Sequence, residues 1–538
     1  MSDEKLSAVA RLRRRHERWA DDLRHRFRTD VPTRDRTLAW SSAGLVAVGA
    51  LALVARALVH DVGVPEVAAA VIAVGIVRAA MLRPATPPHV HGLPGAPEPE
   101  VCPAPEPRDR GPFVVAVRWI GALTALAVAV APVQVVAVAF VALLVAAVPV
   151  VADKLVLWQA RRELRRALAA WEPRFVLGYG GYGGGPIHVG MWEPHLLASG
   201  DRGVIVGLRE HYCAELRAAI RPAMPWIATG SDVLGDMRAL TVPTITTFFY
   251  VHNAPGHLKL MGIRSVRHVW LGHGDSDKAG SHHPRHLRFD VLVASGEAAV
   301  ERYARHGVEI PRERFVLLGR PQSGDVLPAA QPVTEVARPT VLYAPTWVGN
   351  GQQTGFSSMP LAGRILRTLL DAGVDVVFRP HPVFLRDPYW SAKLVELNEI
   401  LRADHDDPAT PGRHAWGEEA VRDWSVTACM NHADALVSDV SSVVSDWLAS
   451  GKPYLMVSMV HRLDEFVDAV PVAAGGYRVD RTLAGLPEVL DEMLRHDPMA
   501  EQRRRLKVHV LGEYAGDESA RAFSAWVHEM AHTPMVRD

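Results

Sequence analysis

The apolar positions of this chain follow two different rhythms. Residues 38–59 form an apolar run broken only by Arg56 near its end, and residues 64–81 form a second run with Glu66 and Arg78 at its edges. Residues 119–152 carry no charge at all. At 1.5 Å per residue that stretch exceeds one crossing of a ~30 Å hydrocarbon core. A break near Ala131-Pro132-Val133-Gln134 would make two helices of it, and about four transmembrane helices in all. A single tilted helix is the alternative. After Trp171 short β-branched runs alternate with longer amphipathic stretches, the pattern of α/β units built on parallel sheets.

Phe175-Val176-Leu177, Val204-Ile205-Val206, Val269-Trp270-Leu271, Val291-Leu292-Val293 and Phe315-Val316-Leu317-Leu318 are predicted strands of one doubly wound domain. Val341-Leu342-Tyr343, residues 374–378, Ala435-Leu436-Val437 and Tyr454-Leu455-Met456-Val457 are predicted strands of a second. Residues 328–339, rich in Pro, Ala and Gln, read as the linker between them. The expected organisation is a basic N-terminal segment (1–37), a membrane region (38–152) with an irregular Pro-rich loop at 84–112, a basic connector (153–170), and two α/β domains (171–330 and 331–538). Ligands of open α/β sheets bind beyond the carboxyl ends of the strands, so strand ends are where chemistry is sought.

Charge refines this picture. Lys+Arg and Asp+Glu both total 59, which speaks against a global attraction to nucleic acid. Arginines at 11–28 precede the first apolar run, Arg83, Arg108, Arg110 and Arg118 lie in the middle loop, and Lys154, Arg161, Arg162, Arg165 and Arg166 follow the last. Positive charge near membrane ends stays on the cytoplasmic side, so the expectation is a multi-pass plasma-membrane protein with cytoplasmic termini and catalytic domains. Cys102, Cys213 and Cys429 are far apart, against a disulfide framework or a cysteine zinc site.

Four strand-end segments carry candidate chemistry: Val269-Trp-Leu-Gly-His-Gly-Asp-Ser-Asp-Lys278, Leu342-Tyr-Ala-Pro-Thr-Trp347, Phe378-Arg-Pro-His-Pro382 and Val437-Ser-Asp-Val-Ser-Ser442, the last followed by Gly451-Lys-Pro453. His273 stands between two glycines, which leave an imidazole accessible as a base. Asp439, Ser441 and Ser442 precede an apolar run, so the serines fall at a helix start. They could bind an anion there, or simply cap the helix. The stretch Gly178-Tyr-Gly-Gly-Tyr-Gly-Gly-Gly-Pro186 has neither Walker A nor Rossmann spacing, and Asp404-His-Asp-Asp407 reads as an exposed loop. Apart from Asp275 and Asp277, no carboxylate cluster stands beside the motifs, so no metal or other cofactor is indicated.

In their order these segments resemble the CDP-glycerol:poly(glycerophosphate) glycerophosphotransferases, over roughly residues 171–530. Gly516-Asp-Glu-Ser-Ala-Arg521 is similar to that family's closing Asp-Gly-x-x-Ser-x-Arg pattern. The resemblance implies a GT-B-like pair of doubly wound domains. It also implies attack by a hydroxyl of a lipid-linked or polymeric acceptor on the β-phosphorus of CDP-glycerol, with release of CMP. In that reading His273 is the base and His381 a second catalytic group, while Arg379, Asp439, Ser441, Ser442 and Lys278 serve donor phosphates; Arg379 could instead brace its domain. Two departures stand out: His-Gly-Asp-Ser-Asp-Lys278 where His-Gly-Thr-Pro-Leu-Lys is commoner, and Gly319-Arg-Pro-Gln322 where the family has Gly-x-Pro-Arg. A glycosyltransferase or polyol-phosphate transferase using another activated donor, or a non-catalytic membrane-bound ligand sensor, would share the same pattern.

Overall fold

The computed structural model describes residues 86–96, 133–180, 185–208, 216, 219–230, 232–254, 256–272, 274, 281–349, 355–408 and 412–535. The chain divides into two compact units. One, formed by His89–Glu98, Leu164–Thr229 and Val233–Asp538, contains both sheets; the other contains the earlier part of a long helix, up to Glu163, and the short segment Gly230–Asp232.

The first sheet has eight strands: β1 (His89–His91), β2 (Phe175–Tyr179), β3 (Gly203–Gly207), β4 (Trp226–Ala228), β5 (Thr247–Tyr250), β6 (Arg267–Trp270), β7 (Val291–Ala294) and β8 (Phe315–Leu317). Their order across the sheet is β1-β4-β3-β2-β5-β6-β7-β8. Every pair is parallel except β1 with β4. The second sheet is wholly parallel, in the order β10-β9-β11-β12-β13, from β9 (Thr340–Ala344), β10 (Asp375–Phe378), β11 (Ala435–Ser438), β12 (Tyr454–Ser458) and β13 (Tyr477–Asp480). All nine predicted strands are present.

Their legibility has a physical cause. Side chains alternate between the two faces of a strand. Val176, Val204, Val206, Phe248 and Tyr250 join one core cluster, while Phe175, Leu177, Ile205, Phe249 and Val251 join another. The second sheet repeats this, with Val341, Tyr343, Val437 and Val457 on one side and Leu342, Leu436 and Met456 on the other. Burial on both faces writes these strands as unbroken apolar runs. Four strands were not predicted. β1 lies inside the Pro-rich segment read as irregular; three residues long, it is held by pairing with β4 and by His91 stacked on Trp226 with ring centroids 3.9 Å apart.

The last helix, Glu518–His532, follows the second sheet in sequence but packs on the first. Phe523 and Val527 join that sheet's core, and the Thr246 hydroxyl donates to the carbonyls of Met530 and Ala531 at 3.2 and 3.0 Å.

One expectation is overturned. Among the described residues no helix is long and apolar enough to cross a membrane. This corrects the predicted region of about four transmembrane helices and the multi-pass location drawn from it. The helix Val133–Trp171 runs on from the apolar stretch into Lys154, Arg161, Arg162, Glu163, Arg165 and Arg166. Its last turns bury Leu164, Ala167 and Leu168 in the core of the first sheet, and Arg165 donates to the Thr241 carbonyl at 3.3 Å. Such a helix docks by one apolar stripe and keeps charge on the others. The runs at 38–59 and 64–81, residues 119–132 and the arginines at 11–28 lie outside the described residues.

Candidate active site

Three of the four motifs leave neighbouring strands. Because β10, β9 and β11 are adjacent and parallel, Arg379-Pro-His381, Pro345-Thr346 and Asp439-Val-Ser-Ser442 emerge side by side at one carboxyl edge. Hydrogen bonds tie them together: the Arg379 N–H donates to the Tyr343 carbonyl at 3.0 Å, the His381 N–H to that of Pro345 at 3.2 Å, and the Ser438 hydroxyl to that of Ala344 at 2.7 Å.

At the centre is Asp439, whose side chain is wholly buried. Its carboxylate accepts the Thr346 N–H at 3.0 and 3.2 Å, the Ser358 N–H at 2.7 Å and the Ser358 hydroxyl at 2.9 Å. A carboxylate so occupied holds the strand-end loops in register; the sequence reading had placed it with the phosphate ligands. Arg379 is likewise committed to protein. Its Nη1 donates to the Ala420 carbonyl and, at 2.8 Å, to that of Trp424, which favours the bracing alternative.

His381 is exposed and caps a short turn, with Nδ1 accepting the Val383 N–H at 3.2 Å. That bond leaves the proton of the neutral ring on Nε2, a donor suited to a phosphoryl oxygen. Ser441 is the N-cap of the helix Ser442–Trp447, its hydroxyl accepting the Val443 N–H at 3.3 Å. Lys452 is buried, donates to the carbonyls of Met430 and Ala433 at 3.1 and 2.6 Å, and so closes the helix Val426–His432; burial lowers its pKa. Of Asp404-His-Asp-Asp407, the first two residues end the helix Pro388–His405 and the last two are exposed beyond it; the Asp404 carboxylate meets the buried His414 ring at 2.8 Å.

The first sheet meets this edge. His273 and Lys278 lie outside the described residues, but Gly272 and Gly274 do not: the Trp192 indole N–H donates to the Gly272 carbonyl at 2.6 Å. A Cβ added at Gly274 would stand 3.3 Å from Ser442 Cβ and 3.4 Å from its hydroxyl. The first motif therefore reaches the fourth. A cavity at the carboxyl ends of β6 and β7 is lined by Trp192, Trp270, Gly272, Gly274, Arg320 and Gln322. Both amide atoms of Gln322 are buried there without a hydrogen-bond partner among the described residues, a costly state unless a ligand meets them.

Motif reading missed a bridge between the two sheets. Arg320, after β8, pairs through Nε with Asp446 of the Ser442 helix, and through Nη2 at 3.4 Å; the two side chains are 6% and 19% exposed. The only sequence cue was its place in Gly319-Arg-Pro-Gln322. That turn is shaped by Gly319, at φ +69°, where a Cβ would lie 2.6 Å from Tyr514 Cδ2 and 2.7 Å from the Ser519 hydroxyl. Ser519, from the closing motif, donates to the Leu318 carbonyl at 2.7 Å. Removing one partner of the ion pair, as in Arg320→Met, is expected to cost about 3 kcal/mol in thermal or denaturant unfolding. Arg320→Met with Asp446→Leu should recover much of that loss; equal loss in the double variant would make the pair incidental.

Residues 258–461, a span containing all four motifs, match the family model described as CDP-Glycerol:Poly(glycerophosphate) glycerophosphotransferase. This bears out the family resemblance named from the motifs. Two curated relatives are UDP-N-acetylglucosamine--N-acetylmuramyl-(pentapeptide) pyrophosphoryl-undecaprenol N-acetylglucosamine transferases. The one from Sodalis glossinidius (strain morsitans) is 32% identical over 81 residues, 15% of this chain and 23% of its own length. The one from Erwinia tasmaniensis is 28% identical over 95 residues, 16% of this chain and 27% of its own. The chain thus spans about a quarter of the length of these relatives. Among solved structures, the wall teichoic acid polymerase TagF superimposes with a TM-score of 0.40 at 13% identity, covering 70% of this chain and 95% of that one.

Proposed function

We propose that this chain transfers glycerol phosphate from CDP-glycerol to a hydroxyl of a teichoic-acid-like polymer or lipid-linked acceptor, releasing CMP. The observation that carries this reading is the family match across residues 258–461, which encloses every strand-end motif. In the reaction the acceptor oxygen bonds to the β-phosphorus as the bond to the CMP oxygen breaks, and the hydroxyl proton passes to a base. We assign that base to His273, on the acceptor side formed by the first sheet. The second sheet holds the donor, with the His381 Nε2–H and the Ser442 hydroxyl directed to its phosphoryl oxygens. Lys278 adds positive charge. Such donors act by meeting charge that grows in the transition state. Gln322, where the family has arginine, offers a neutral donor and acceptor suited to a polyol hydroxyl.

Purified protein incubated with labelled CDP-glycerol and polymeric or lipid-linked acceptors should release CMP in step with labelled product. No turnover with any acceptor would sink the reading. The short matches to N-acetylglucosamine transferases favour one second reading, transfer from a sugar nucleotide. Turnover of UDP-N-acetylglucosamine in place of CDP-glycerol would select it.

The two serines should separate in their effects. Ser441→Ala removes a helix cap and should lower stability by about 1 kcal/mol. Ser442→Ala should leave the melting temperature unchanged but weaken CDP-glycerol binding by roughly 1–3 kcal/mol, or about 5- to 150-fold in Kd by calorimetry. Unchanged affinity in Ser442→Ala would remove that hydroxyl from the donor site.

A further inference from the structure

Away from the carboxyl edge that carries the motifs, three potential metal ligands converge near the start of β3. Asp201 follows the helix Gly185–Leu197 and leads into β3, while His528 and His532 lie in the last turns of the helix Glu518–His532. His528 Nδ1 stands 2.9 Å from Asp201 Oδ2, and His532 Nε2 stands 2.8 Å from Oδ1. The three ligand atoms all lie within 4.8 Å of one another. Residues four apart share one helix face, and the run His528-Glu-Met-Ala-His532 has the H-E-x-x-H spacing in which two imidazoles grip one zinc ion.

We propose that Asp201, His528 and His532 form a binding site for a divalent transition-metal ion of the zinc type, which fastens the C-terminal helix to the first sheet. Zinc takes nitrogen ligands at about 2.0–2.1 Å and carboxylate oxygens at about 2.0–2.2 Å, so neighbouring ligands in a tetrahedron stand ~3.3 Å apart. Small shifts bring the present triad to that spacing. The ligand set is also the right one: two borderline nitrogens and one carboxylate suit zinc, cobalt or nickel better than calcium or magnesium, which take oxygen. Asp201 is fixed, its side chain 8% exposed and its N–H donating to the Ser199 hydroxyl at 3.2 Å. The histidines, at 58% and 42%, face outward and leave room for water at a fourth position. On binding, each ring gives up the nitrogen that now faces Asp201 and carries its proton, when neutral, on the other one. An ion here would join positions more than 300 residues apart in sequence and favour the docked form by mass action.

The full-length protein, stripped with EDTA and titrated with Zn²⁺ by calorimetry, should take up one equivalent that His528→Ala with His532→Ala lacks. Asp201→Asn should weaken that equivalent at least tenfold, whereas His496→Ala, at a histidine outside the triad, should retain it. Cobalt(II) should give a visible absorption band in the wild type alone, and zinc should raise the melting temperature of the wild type but not of the double variant. Circular dichroism of the metal-free proteins checks that the variants are folded. Equal zinc stoichiometry in the wild type and the double variant, or no saturable equivalent in the wild type, would overturn the site.

Discussion

His273→Ala is expected to lose on the order of 10²–10⁴ of turnover while keeping its fold, the range common for removal of a general base. Asn at this position hydrogen-bonds but takes no proton near neutral pH, so His273→Asn should not restore the rate. The KM for CDP-glycerol should stay nearly constant in both, since we place the donor on the second sheet. Activity of the wild type should fall on the acid side as the imidazole gains its proton. The measurement is CMP release under saturating donor, with circular dichroism as the check on folding. A folded His273→Ala protein turning over at near-normal rate would pass the role to His381.

Asp439→Asn should show the largest loss of stability among the site residues. The native carboxylate accepts from the N–H groups of Thr346 and Ser358 and from the Ser358 hydroxyl. An amide there weakens bonds that were charge-assisted and turns an NH₂ toward groups that also donate. In a side chain with no exposure to water, that mismatch should cost about 3 kcal/mol or more, and roughly 10 °C in melting temperature. Activity would fall with it, because Thr346 and the turn before Ser441 lose their common anchor. An unchanged melting temperature with lost donor binding would return Asp439 to the phosphate ligands, where motif reading had put it.

The contrast between these two residues shows where sequence reasoning reached and where it stopped. The His273 reading was drawn from a local pattern, a histidine between two glycines at the end of a strand, and such patterns are legible in a sequence. The work of Asp439 was not, since its partners lie 81 and 93 positions away and nothing near it in sequence names them. Arg379 stood beside His381 in one motif, yet the fold turns its guanidinium to the carbonyls of Ala420 and Trp424. The Arg320–Asp446 pair, 126 positions apart, was invisible for the same reason. Two of the four unpredicted strands fit this pattern. β13 alternates buried and half-buried positions, and β1 owes its existence to the edge of β4.

By itself the sequence determined the parallel α/β character of the chain, nine of its strands, and the order of four motifs that mark the glycerophosphotransferase family. Those features follow from residue-by-residue preferences for burial and from short spacings, which a linear pattern records directly. Only the tertiary structure decided which motif side chains are spent on holding the fold, that the last helix returns to the first sheet, and that the helix leading out of the apolar stretch docks on a protein core. Each of these depends on which distant surface a group meets when the chain folds back. An apolar position records a preference for leaving water, and only the folded chain shows what covers it.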